Sequence, residues 1–157
     1  MSFPRQDLLR PSLTDQAQPP AAPYTLQTGF FTAFFGGPFA AALMLALNAK
    51  RIGRLNQDAL WVALIACAFV VWLYFMYATP SGVAAQARLT DLLGERGPML
   101  AQRLLALLAF AASAWLHRRE QRSADLFALK RPNGWVAGIV FIVLGVLLTL
   151  GAIQALT

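Results

Sequence analysis

The chain has 157 residues, 58% hydrophobic and 13% charged, with thirteen Lys and Arg against seven Asp and Glu for a formal net charge of +6. Soluble domains average about 45–50% apolar and about 25% charged residues. With roughly half the usual charge, one domain's length of chain cannot cover itself in water, which excludes a soluble enzyme, a disordered tail and a disulfide-built secreted scaffold and points to an integral membrane protein.

Residues 1–27 read as a flexible, polar, Pro-rich tail, with Gln18-Pro19-Pro20-Ala21-Ala22-Pro23 extended. Arg5 and Arg10 are not followed directly by an apolar stretch, so the tail does not read as a cleavable signal. From residue 28 to 157 the chain predicts an all-α transmembrane domain. A helix rises 1.5 Å per residue, so about 20 apolar residues cross a hydrocarbon core about 30 Å thick. Four stretches qualify, at about 29–48, 59–78, 98–116 and 135–156, and predict an antiparallel four-helix bundle.

The first stretch contains Gly36-Gly37-Pro38. Pro38 donates no backbone hydrogen bond and crowds the carbonyl four residues before it, so a kink is expected there, either a static bend or a hinge or broken helix lining a site. Gly29, Ala33, Gly37 and Ala41 recur every four residues and predict one flat groove for a neighbouring helix. Phe30, Phe31, Phe34, Phe35 and Phe39 surround the kink and are explained by packing and lipid contact. The second stretch carries Ala59, Ala63 and the lone Cys67, which reads as a small packing residue. Trp72, Tyr74 and Tyr77 gather near its outer end, as in an aromatic belt.

Pro80-Ser81-Gly82 stops the second stretch, and Ala85, Leu89, Leu92 and Leu93 then fall at helical spacing, predicting a short interfacial helix in the second loop. The third stretch is the shortest in apolar length, with Gln102 and Arg103 in its first turns; Arg103 is expected to snorkel to the headgroups. It carries the small residues Ala109 and Ser113, and His117 stands at its end. The fourth carries Gly138 and Gly145 at seven-residue spacing, with Gly134 and Ala152 in the same series, a second packing stripe.

The basic side chains sort by loop. Loop one holds Lys50, Arg51 and Arg54; loop three holds Arg118, Arg119, Arg122, Lys130 and Arg131. Together these are candidates for anionic lipid headgroups or docking. They outnumber the cations of the tail and second loop, so the positive-inside bias places loops one and three in the cytoplasm and both termini on the opposite side. Nothing matches a metal, nucleotide or hydrolase motif, and a single His beside two Arg is a poor metal site, so no cofactor, no nucleic acid and no enzyme activity are expected. The leading functional expectation is a non-enzymatic accessory or structural subunit acting through helix packing and its basic cytoplasmic loops, as a homo-oligomer or within a larger membrane complex. A small oligomeric transporter or channel is the alternative, and its sign would be a continuous water-lined cavity reaching Gly36 to Pro38. A lipid-linked enzyme using His117, Arg118 and Asn48 is the second alternative.

The run Phe35-Gly36-Gly37-Pro38-Phe39-Ala40-Ala41, followed by Asn48 and a basic stretch with Gly53, resembles a group of small bacterial four-span membrane proteins with a G-P-x-A-A signature in the first span. The resemblance covers mainly residues 29–55. It implies a multi-pass protein of the bacterial inner membrane and no particular activity.

Overall fold

The computed structural model describes residues 21–156. Their regular structure is entirely helical: α1 (Leu26–Arg51), α2 (Leu55–Ala78), α3 (Pro80–Leu93), α4 (Gly97–Leu116), α5 (Arg118–Leu126) and α6 (Trp135–Leu156). The expected all-α bundle of four long apolar helices is present, since α1, α2, α4 and α6 are each long and apolar enough to cross a membrane. The interfacial helix expected in the second loop is α3. Pro80 opens it, the Thr79 hydroxyl caps it by accepting from the Gly82 amide, and its outer residues Leu92 and Leu93 are exposed. Gly82 is seated on the α2 backbone at Phe75, which leaves no room for a side chain.

The first long helix does not run straight. Gly37 has φ 76° and ψ −171°, and the helix is interrupted there. The contacts on either side show how far the chain turns. The Tyr24 amide donates to Asn48 Oδ1 at 2.9 Å, although on an unbroken helix those two residues would be about 36 Å apart. Arg51 Nε donates to the Ala22 carbonyl at 2.8 Å, and Ala33 and Ala41 share one buried cluster with Ala109 of α4. Each pair is centred on positions 36–37, the signature of an antiparallel hairpin. The two arms, residues 26–36 and 38–51, are about 16 and 21 Å long, roughly half to two-thirds of a hydrocarbon core. The kink expected at Gly36-Gly37-Pro38 is therefore a reversal.

The reversal corrects three expectations. Residues 22–25 lie at the same end of the bundle as loops one and three, so the described start of the chain and its C-terminal helix end are at opposite ends, not together. The four-residue series Gly29, Ala33, Gly37 and Ala41 is not one groove, because its members belong to two arms running in opposite directions: Gly29 meets Phe110, Ala33 and Ala41 meet Ala109, and Gly37 forms the turn. The tail expected to be loose through residue 27 is anchored at its end, where Ala22 and Pro23 are buried and Thr25 caps α1 by accepting from the Thr28 amide at 3.2 Å. The first twenty residues lie outside the described ones.

The hairpin sits between α6, α4 and α2. Its seam with α6 is the closest. Gly134 lies against Tyr24 and Thr28, Gly138 against Thr28 and Thr32, and Gly145 against the Gly36 carbonyl and Ala40. The packing stripe expected on the fourth stretch is thus used within the molecule, at Gly138 and Gly145. The stripe on α2 is not: Ala59, Ala63 and Cys67 are exposed, while Asp58, Phe69, Leu73 and Met76 face inward. Cys67 is correspondingly a surface thiol in the apolar belt and not a packing residue.

The hairpin predicts a labelling pattern. In a Cys67→Ala background, cysteines at Ala21 and Ala155, both exposed, are expected to react with a membrane-impermeant maleimide from opposite sides of sealed vesicles. Labelling from one side would restore a straight first span.

Candidate functional site

Polar groups collect at two places, the open base of the hairpin and its tip. At the base, α5 lies across the end of the bundle and is tied down by side chains from four segments. Gln121 Nε2 donates to the Tyr24 carbonyl at 3.0 Å, and Arg131 donates to Gln121 Oε1 at 2.7 Å and to Asp125 Oδ1 at 2.6 Å. Arg54, from loop one, is paired with Glu120 of α5 and lies 3.8 Å from Asp58. Beneath it, His117 Nε2 donates to Asp58 Oδ2 at 2.8 Å, and both residues are essentially sealed, at 3% and 1% exposure.

The sequence showed Asp58 only as an acid preceding a span and His117 only as a polar residue ending one. Their pairing joins residues 59 positions apart. One signal pointed to it: both stand at span ends that an antiparallel bundle brings to the same face. The crevice beside His117, lined by Tyr24, Thr25, Asn48, Ser113 and Gln121 among others, measures about 20 Å³, room for about one water and not for a substrate. Among the described residues no three His, Cys, Asp or Glu come together as metal ligands.

The headgroup candidates divide. Arg51 is spent on the Ala22 carbonyl and the Tyr24 ring, Arg54 on Glu120 and Arg131 on Gln121 and Asp125. Lys50, Arg118, Arg119, Arg122 and Lys130 remain exposed, with Arg118 lying over the Trp115 ring at 5.5 Å.

At the tip, the hairpin stops short and leaves a cleft of about 220 Å³. The turn residues Phe34, Phe35, Gly36 and Gly37 form one wall, α4 contributes Met99, Gln102 and Arg103, and α6 contributes Val146, Thr149, Leu150 and Ile153. Arg103 lies at the tip. Its guanidinium rests over the Phe34 ring, 4.9 Å from the centroid, beside the hairpin tip. The Gln102 amide lies next to Gly37, where a Cβ would come within 3.5 Å of Nε2. Thr149 is satisfied by the Gly145 carbonyl of its own helix at 2.8 Å. Pro38, on the other side of the turn, faces a separate and wholly hydrocarbon recess with Ile65, Phe69 and Ala109.

Non-helical backbone at this depth is tolerated in a membrane only where protein buries it or a wet cavity solvates it. Here Gly36 is packed against α6 at Phe141 and Ile142, Gly37 lies beside Gln102 of α4, and both line the cleft. Of the residues singled out from sequence, the structure brings Gly36, Gly37 and Gly145 to this one region, while Gly29, Ala33 and Ala41 serve the seam with α4. Searches found no matching family model, no matching curated protein and no matching solved structure.

Proposed function

We propose that this multi-pass membrane protein is a non-enzymatic ligand-binding component, closer to a small transporter or channel subunit than to a purely structural one, and that the hairpin tip is the inner wall of its binding cleft. The single observation carrying this reading is the cleft itself: a cavity beside Gly36 and Gly37 that holds a cation and an amide in otherwise apolar walls. The sign expected of a transporter is a continuous water-lined cavity reaching Gly36 to Pro38; the cleft reaches Gly36 and Gly37, while Pro38 lines the separate recess. Irregular backbone facing a cavity at mid-depth is how membrane proteins admit polar ligands among helices. The base cap supports the same reading, because the network of Asn48, Asp58, His117 and Gln121 closes the loop-one end and leaves the cleft to open elsewhere.

With residues 22–25 at the loop-one end, the cation count becomes more lopsided. Loops one and three carry eight, against Arg88, Arg96 and Arg103 toward the other end. By the positive-inside bias that end is cytoplasmic. The exposed Lys50, Arg118, Arg119, Arg122 and Lys130 then face the anionic leaflet, each contributing about 1 kcal/mol of attraction.

The test is accessibility. In the Cys67→Ala background, Val146→Cys lies in the cleft and Val143→Cys is exposed on α6 outside it. A small impermeant thiosulfonate is expected to modify Val146→Cys at least tenfold faster than Val143→Cys. Equal, negligible rates at both positions would mean a dry crevice and would reject the reading.

A further inference from the structure

Arg103 carries the chemistry of the cleft. Among the described residues it enters no ion pair and no hydrogen bond, and its guanidinium rests on the Phe34 ring. The described carboxylates nearest in sequence, Asp91 and Glu95, form no ion pair with it. The Gln102 amide beside it likewise has no hydrogen-bond partner among the described residues. A guanidinium stays charged at any physiological pH and presents a planar fork of donors that matches the two oxygens of an acid. A charge left without a counter-ion among apolar helices is costly, and such residues pair or mark the path of a ligand. The rest of the cleft is hydrocarbon, from Phe34, Phe35, Met99, Leu150 and Ile153, apart from Thr149, whose hydroxyl is taken up by the Gly145 carbonyl. Its volume, about 220 Å³, is below the range of about 300–1,000 Å³ typical of sites for whole drug-sized ligands. That accommodates an acid group and the first part of a chain, the rest of which would lie outside the cleft.

We propose that the cleft binds a single-chain anionic amphiphile, a long-chain carboxylate, with its acid group on Arg103 and Gln102 and its chain along the apolar wall toward Met99 and Leu150. The proposal rests on the ligand-binding reading above and deepens it. Cation and amide supply the acid's hydrogen bonds, and the amide lies beside Gly37 at the turn.

The experiment uses the full chain purified in neutral maltoside, with palmitate carrying ¹³C at its carboxyl as probe. The expected results are a rise in thermal midpoint that saturates with palmitate and a carboxyl ¹³C signal distinct from that of palmitate in empty micelles. Hexadecanol, the same chain without the acid, is expected to give neither; equal stabilisation by hexadecanol would overturn acid recognition. Stabilisation by phosphatidylglycerol but not palmitate, or by inorganic phosphate alone, would overturn the choice of a single-chain carboxylate. Arg103→Met is expected to weaken palmitate binding roughly tenfold or more through loss of charge-assisted hydrogen bonds. Gln102→Leu, which keeps the cation, is expected to weaken it severalfold and serves if Arg103→Met does not fold. Unchanged affinity in every folded variant would overturn the site. Modification of Val146→Cys together with no palmitate binding would reject this ligand while leaving the cleft reading intact.

Discussion

Gly145→Leu is expected to separate the hairpin from α6 and to destabilise the protein by about 3 kcal/mol or more. A single added carbon at position 145 would already lie 2.3 Å from the Gly36 carbonyl oxygen, 2.9 Å from Ala40 Cβ and 3.1 Å from the Ala40 nitrogen. Two of those three atoms are backbone, so no rotamer change relieves the clash, and one helix must move away from the other. Overpacking a well-fitted core usually costs about 1–3 kcal/mol where side chains can adjust. Here they cannot, and burial alone does not compensate, because lipid tails are as apolar as leucine and close approach is what holds these helices together. Gly151→Leu is the matched control. Nothing lies within 4 Å of a Cβ at that position, and the variant is expected to be neutral within about 0.5 kcal/mol. Unfolding measured by steric trapping or by denaturant in mixed micelles compares the two, and equal stability would show that the α1–α6 seam is not the clamp described.

Asp58→Ala is expected to cost about 3–5 kcal/mol, the usual result of removing one member of a sealed polar pair and stranding the other. It leaves the His117 Nε2–H without an acceptor at a site where both side chains are 2–3% exposed. It also removes one of the two acids beside Arg54, a smaller loss because that side chain is a third exposed. Asp58→Asn keeps an acceptor oxygen and is expected to cost markedly less. The double replacement Asp58→Leu/His117→Leu is expected to recover most of the loss, since swapping both polar partners for apolar groups removes the unpaired donor along with its acceptor. A double-mutant cycle reads the coupling directly. Additive losses would mean that the two residues act independently and that α5 is held only by its outer contacts through Gln121, Glu120 and Arg131.

These two variants probe different parts of the same device. The seam at Gly145 fixes the hairpin tip, and therefore the cleft, while the Asp58–His117 pair fixes its base. A loss at the base is expected to loosen α5 and loop one first, because they are joined there by side chains and by few packed apolar residues. A loss at the tip is expected to change the cleft directly. Palmitate binding, read on both variants under conditions where they remain folded, separates the two effects.

The sequence alone determined that the protein is helical and lives in a membrane, because half the usual charge and four apolar runs of about 20 residues admit little else. It located α6 from Trp135 to Leu156 and the ends of α2 and α4, and it marked Gly36-Gly37-Pro38 as the place where the first run is interrupted. It also found Gly138 and Gly145 as contact positions, because a small residue on an apolar helix leaves a hollow whatever fills it. Hydropathy counts residues without recording direction, so two half-length arms of one hairpin sum to the same apolar run as one full span. Only the tertiary structure decided between them, through the backbone at Gly37 and the meeting of Tyr24 with Asn48. The reversal then settled which end the described start of the chain occupies, split a regular small-residue series between two arms, and left the space beneath the tip that Arg103 lines. The Asp58–His117 pair belongs to the same class of fact, since a hydrogen bond between residues 59 positions apart is created by chain packing and has no local signature.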